Sequence, residues 1–146
     1  PIHVSRWVTM RAAVIDGMPD ELVTALGRRA DFDLEHVVRA FGVDGDLVRS
    51  VLAPRGLAVR DLTRACELIS QHDELRDRIL ESAAELRGRC LRYLRDRLVI
   101  DDGPIVLSDV GWGGTIQEGL ERILRSDGIT NDVVGPFKSD PNAPGW

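Results

Sequence analysis

Residues 104–125 read Pro104-Ile-Val-Leu-Ser-Asp-Val-Gly-Trp-Gly-Gly-Thr-Ile-Gln-Glu-Gly-Leu-Glu-Arg-Ile-Leu-Arg125, and within them the hydrophobic period changes. Pro104–Ser108 is a continuous apolar run bounded by the turn residues Asp101-Asp-Gly103, the pattern of a strand buried on both faces. A glycine-rich loop follows. Ile116, Leu120, Ile123 and Leu124 then recur at helical spacing until Gly128 stops the pattern, and Asp132-Val-Val-Gly135 reads as another short strand. Strand, helix and strand in so short a span make a βαβ unit, whose strands should be parallel with a right-handed crossover.

Two parallel strands are too few for a stable sheet, and Ile2-His-Val4 is the obvious third. The expected fold class is therefore α/β: a small parallel sheet, a Rossmann-like fragment, with a large all-helical insertion at about residues 17–100 and helix in the majority. Residues 1–135 should form one domain and residues 136–146, rich in Pro, Gly, Asn and Asp, an extended or disordered tail. Ser5 should cap a helix reaching Ile15, with Gly17 as its stop. Pro19-Asp-Glu21 opens a helix reaching about Arg29, and Asp33 opens one that Gly42 ends. Further helices are expected at Asp44–Leu52, Leu57–Ile69 and about Asp73–Leu98. In the last, Leu75, Ile79, Ala83, Leu86, Cys90, Leu91 and Leu94 form one stripe. Arg87, Arg89, Arg92, Arg95 and Arg97 are expected on its solvated side.

The length suits one domain, and 43% hydrophobic with 29% charged residues is ordinary for a globular chain. A net charge of −5 argues against a general nucleic-acid or anionic-membrane binder. Lys138 is the only lysine, which leaves one candidate for Schiff-base or P-loop chemistry. Cys66 and Cys90 lack metal-site or CxxC spacing and read as reduced core residues, and His3, His36 and His72 have no metal-ligand spacing. Without a signal peptide or an apolar run near membrane length, a cytoplasmic chain with no membrane span is expected. The start at Pro1 and the undersized sheet lead to a further expectation, that the chain is part of a larger multidomain protein.

Ligands of open α/β sheets bind beyond the carboxyl ends of the strands. There the sequence places Ser5 and Arg6 after the first strand, Asp109 through Thr115 after the second, and Lys138 with Ser139 after the third. Gly111, Gly113 and Gly114 permit positive φ and close approach of backbone to a ligand. Thr115 and the first helix amides can bind an anion. Asp109 is the best catalytic candidate, able to orient a hydroxyl, and Trp112 can stack on a sugar or base. Equally, the glycines can simply make a tight turn, Asp109 or Thr115 cap the helix, and Trp112 fill the core. No complete catalytic set and no cofactor can be assigned from the residues.

The loop is neither a Walker A motif nor GxGxxG. It has some similarity to the ribose-phosphate loop of type I phosphoribosyltransferases, but Ser108 stands where that family carries the first of two acids, and the loop is one residue shorter. A wider likeness covers Val4-Ser-Arg6, Asp109-Val-Gly-Trp-Gly-Gly-Thr-Ile-Gln117 and Val133-Val-Gly135. With these the chain resembles the region that follows the hydrolase domain in large bacterial haloacid-dehalogenase-like proteins, often associated with surface-polysaccharide biosynthesis. The hydrolase's DxDx(T/V) nucleophile motif is absent, so its phosphatase activity is not carried over. The resemblance implies an accessory domain of a polysaccharide-related protein. With the loop chemistry, the expected ligand is a sugar phosphate or nucleotide sugar; the alternative is a non-catalytic interaction or spacer domain docking a neighbouring catalytic domain.

Overall fold

A computed structural model describes residues 4–26, 41–53, 62–97, 103–106 and 115–134. The chain is mostly helical, and its helices begin and end where local chemistry dictates. Helix α1 (Arg6–Ala12) is capped by Ser5, whose Oγ accepts the Val8 N–H at 3.2 Å. It ends two to three residues before the sequence pattern suggests, because the chain turns at Gly17 (φ +67°), where positive φ suits glycine. Helix α2 (Pro19–Leu26) begins with Pro, Asp and Glu, and α3 (Gly45–Leu52) is capped by Asp44 through the Asp46 N–H. Helix α4 (Leu62–Gln71) meets the 25-residue α5 (Asp73–Arg97) at His72. The expected helix opened by Asp33 and the start of the one from Leu57 lie outside the described residues.

Strand β1 (Ile105–Val106), helix α6 (Thr115–Arg125) and strand β2 (Val133–Val134) form the expected parallel βαβ pair, with Ile105 opposite Val133 and Val106 opposite Val134. The strands are shorter than the apolar runs, although Leu107, Ser108 and Gly135 lie outside the described residues. One expectation is corrected. The run does not bury both faces: Ile105 and Val133 point into the core, whereas Val106 is 75% and Val134 47% exposed. Continuous apolar sequence thus encodes a one-sided sheet here. Only two strands pair in the described sheet, so the Rossmann-like extension is not established. Val4 packs against the core of Leu94, Ile105, Leu120, Leu124 and Val133 without joining a strand, and Ile2 and His3 lie outside the described residues.

Two cores share one long helix. The amino-terminal half of α5 buries Leu75, Ile79 and Ala83 with α2, α3, α4 and the end of α1. Its carboxyl-terminal half buries Cys90 and Leu94 against α1, α6 and the sheet. The helical segment is therefore not a detachable insertion, because α5 serves as a wall for both cores. One of its arginines departs from the expected solvated side, whereas Arg89, Arg92, Arg95 and Arg97 are exposed as expected. Arg87 Nη1 donates to the carbonyls of Ala12 (3.0 Å) and Val14 (2.9 Å), closing the carboxyl end of α1. Arg95 pairs with Asp127 beyond α6.

The junction of α1, α2 and α6 is held by Glu21. Its buried carboxylate accepts N–H groups from Ile15 (3.2 Å), Asp16 (3.0 Å) and Gly17 (3.0 Å) through Oε2, while Oε1 meets the Arg122 guanidinium. An acid placed in the first turn of α2 thus also satisfies the turn that leaves α1. At the sheet, Gln117 Nε2 donates to the Val133 carbonyl at 3.1 Å and ties α6 to β2.

Between α1 and α6 the backbones come close. A Cβ on Gly119 would lie 2.7 Å from Thr9 Cγ2, and Thr9 is wholly buried with its hydroxyl donating to the Ser5 carbonyl. Gly119→Ala adds a better helix former but drives a methyl into Thr9. The overpacking cost of about 1–3 kcal/mol is offset in part by the roughly 1 kcal/mol gained in propensity, and we expect a net loss of up to about 2 kcal/mol in urea unfolding. Thr9→Ser keeps the hydroxyl and removes the opposing methyl, so the double variant should recover most of the loss; additive effects in that cycle would refute the contact.

Burial pushes the Cys66 thiol up to about 12 from its ordinary 9. The folded thiol stays protonated where the unfolded one ionises, so this group's contribution to stability is intact below about pH 9 and lost as pH rises towards 12. Cys66 should accordingly resist iodoacetamide at pH 8.5 in the native protein and react readily in urea, as followed by mass spectrometry.

Candidate functional site

The residues singled out at the strand ends divide into two groups. Asp109, Gly111, Trp112, Gly113 and Gly114, together with Lys138 and Ser139, lie outside the described residues. Ser5, Arg6 and the backbone of Thr115 are described, and the fold decides how they stand to one another.

Thr9 lies against Gly119, and Ala12 and Ala13 join Ile123 in one cluster. Near the far end of α1, Glu21 grips the Ile15–Gly17 turn and Arg122 together. Contacts therefore advance in the same direction along both helices, and α1 and α6 run parallel. Their amino termini, Ser5–Arg6 and Thr115, consequently occupy the same end of the pair. Residues 107–114 connect the carboxyl end of β1 to that end of α6.

Arg6 is exposed at the first position of α1, a turn that contains no acid. A cation there opposes the helix dipole at a cost of about 0.3–1 kcal/mol, so local helix stability does not account for it. In α6 the situation is reversed: Glu118 lies exposed in the first turn, where it complements the dipole and disfavours a second anion nearby. Ser5 has its Oγ lone pair on the Val8 N–H and retains its O–H for donation. The described edge thus offers one guanidinium, one hydroxyl and the start of two helices to an anion, with Glu118 opposing.

A second feature escaped the sequence reading. Val4, Val8, Leu86, Leu94 and Leu120, with Ser5, Arg89, Cys90 and Tyr93, line an open cavity of about 410 Å³ between α1, α5 and α6. Tyr93, the only tyrosine of the chain, set among the arginines of α5, was the one available signal. Among the described residues no group of three or more His, Cys, Asp or Glu is placed to hold a metal ion, and no helix is long and apolar enough to cross a membrane.

Comparison with known proteins returned no matching family model, no matching curated protein and no matching solved structure.

Proposed function

We propose that this chain is an accessory domain of a bacterial, polysaccharide-related, haloacid-dehalogenase-like protein. In this reading it binds a phosphorylated or nucleotide-linked sugar at the loop joining β1 to α6. The observation that carries the reading is the parallel packing of α1 and α6, which gives Arg6 and the start of α6 a common edge. Arg6 contributes a guanidinium to the phosphate, Ser5 a hydroxyl, and Gly111, Gly113, Gly114 and Thr115 backbone amides. Trp112 stacks on a sugar or base ring, and Asp109 orients a ligand hydroxyl. The parent is a larger multidomain protein acting in the cytoplasm, whose catalytic domain lies elsewhere.

Calorimetry with a nucleotide sugar, a sugar phosphate and phosphoribosyl pyrophosphate tests this. Arg6→Ala should weaken the best ligand about tenfold, equivalent to about 1.4 kcal/mol, without loss of fold. Glu118→Gln should tighten it about two- to fivefold by removing a like charge from the first turn of α6. Asp109→Asn should alter ligand preference more than phosphate affinity. Unchanged affinity in both charge variants would remove the edge as an anion site.

The exposed pair Val106 and Val134 favours a second reading, in which the outer sheet face docks on a neighbouring catalytic domain. In the isolated chain, Val106→Thr with Val134→Thr, which keeps β-branching and adds no charge, should then change stability by no more than about 0.5 kcal/mol. Unfolding of that variant would mean that the face is covered within the chain itself.

A further inference from the structure

Of the described residues proposed for the loop site, only Ser5 lines the cavity between α1, α5 and α6. At about 410 Å³ it falls within the range of small-molecule sites, roughly 300–1,000 Å³. Its walls are aliphatic: Val4 and Val8 from α1 and the residues before it, Leu86 and Leu94 from α5, and Leu120 from α6. Its polar lining comes from Ser5, Arg89 and Tyr93. Arg89 lines it with a side chain 64% exposed, so the guanidinium stands towards solvent. Tyr93 lines it too, and its ring carries the Arg97 guanidinium at 5.7 Å from the centroid. Ser5 adds a hydroxyl that still has its proton to donate.

One guanidinium lining an aliphatic cavity, with a second stacked on the Tyr93 ring, sets the chemistry of the occupant. Arg89 is engaged by Glu85 at 3.2 Å, but both side chains are about two thirds exposed, and a solvated i,i+4 pair of this kind exchanges readily for another anion. Arg89 has further N–H donors beyond the Nη2 that Glu85 takes. Its charge also reaches inward, since it opposes the upward push of burial on the Cys90 thiol.

We infer that this cavity binds a single-chain amphiphile with an anionic head group. The aliphatic chain lies on Val8, Leu86 and Leu120, and the head group is held by Arg89, with Arg97 and the Ser5 hydroxyl supporting it. Burial of the chain supplies the apolar driving force, and the guanidinium selects the sign of the head group.

Titration of the full chain with octanoate, 1-octanol and octylammonium, followed by calorimetry and by methyl NMR of Val8 and Leu120, tests the inference. Octanoate should bind at least tenfold more tightly than octanol, octylammonium should bind most weakly, and the Val8 and Leu120 methyls should shift. Arg89→Ala, on an exposed side chain, should leave the fold intact and bring octanoate down to the affinity of octanol. Val8→Trp, which narrows the cavity where the chain lies, should weaken binding of all three. Equal affinity for octanoate and octanol in the unaltered protein, survival of the octanoate preference in Arg89→Ala, or absence of binding would each overturn it.

Discussion

The approach of Thr9 to Gly119 is the contact on which the rest of the structure depends. With Thr9 in place, a side chain on residue 119 would push α1 from α6, and with that separation the cluster of Ala12, Ala13, Cys90 and Ile123 would lose its closure. The small residues along this seam let two helices pack backbone to backbone. That seam fixes which ends of the helices are neighbours, and so decides which residues share the edge beyond β1. The hydroxyl of Thr9 is spent on the Ser5 carbonyl, so the polar atom at the seam is satisfied internally.

Charged groups then lock the seam from its far end. Glu21 gathers three backbone N–H groups and Arg122, while Arg87 takes two carbonyls at the end of α1. Both side chains belong to helices other than the one whose end they satisfy. The turn after α1 leaves donors and acceptors without intrahelical partners, and groups from α2 and α5 supply them. Each such hydrogen bond to an ionised group is worth about 1.5–3 kcal/mol. Hence the polar network and the close apolar seam enforce the same arrangement of α1, α2, α5 and α6.

Much of this was legible in the sequence wherever a local rule governs. Ser5 caps, Gly17, Gly42 and Gly128 stop helices, and the stripe from Leu75 to Leu94 faces inward, because each follows from chemistry within one or two helical turns. What escaped depends on partners distant in sequence. Gly119 reads as a weak helix residue until Thr9 is known to lie above it. Arg87 is indistinguishable from Arg92 until the end of α1 arrives beside it. The run Ile105-Val106 looks doubly buried because composition cannot report how many layers cover a sheet. For the site, Ser5, Arg6 and the start of α6 were expected at one edge from strand topology; the described contacts show α1 and α6 packed in parallel, and the loop itself lies outside the described residues. The cavity had no motif, since its walls are ordinary core residues drawn from three helices.

The account therefore stands on the direction of α1 relative to α6. Spin labels at Arg6 and Glu118, both exposed, and separately at Arg6 and Arg125, measure it directly by pulsed dipolar spectroscopy. Parallel helices place the first pair closer than the second, because residues 118 and 125 lie about 10 Å apart along the axis of α6, the rise of seven helical residues. The reverse order of distances, with Arg125 the nearer to Arg6, would contradict the shared edge and the site built on it.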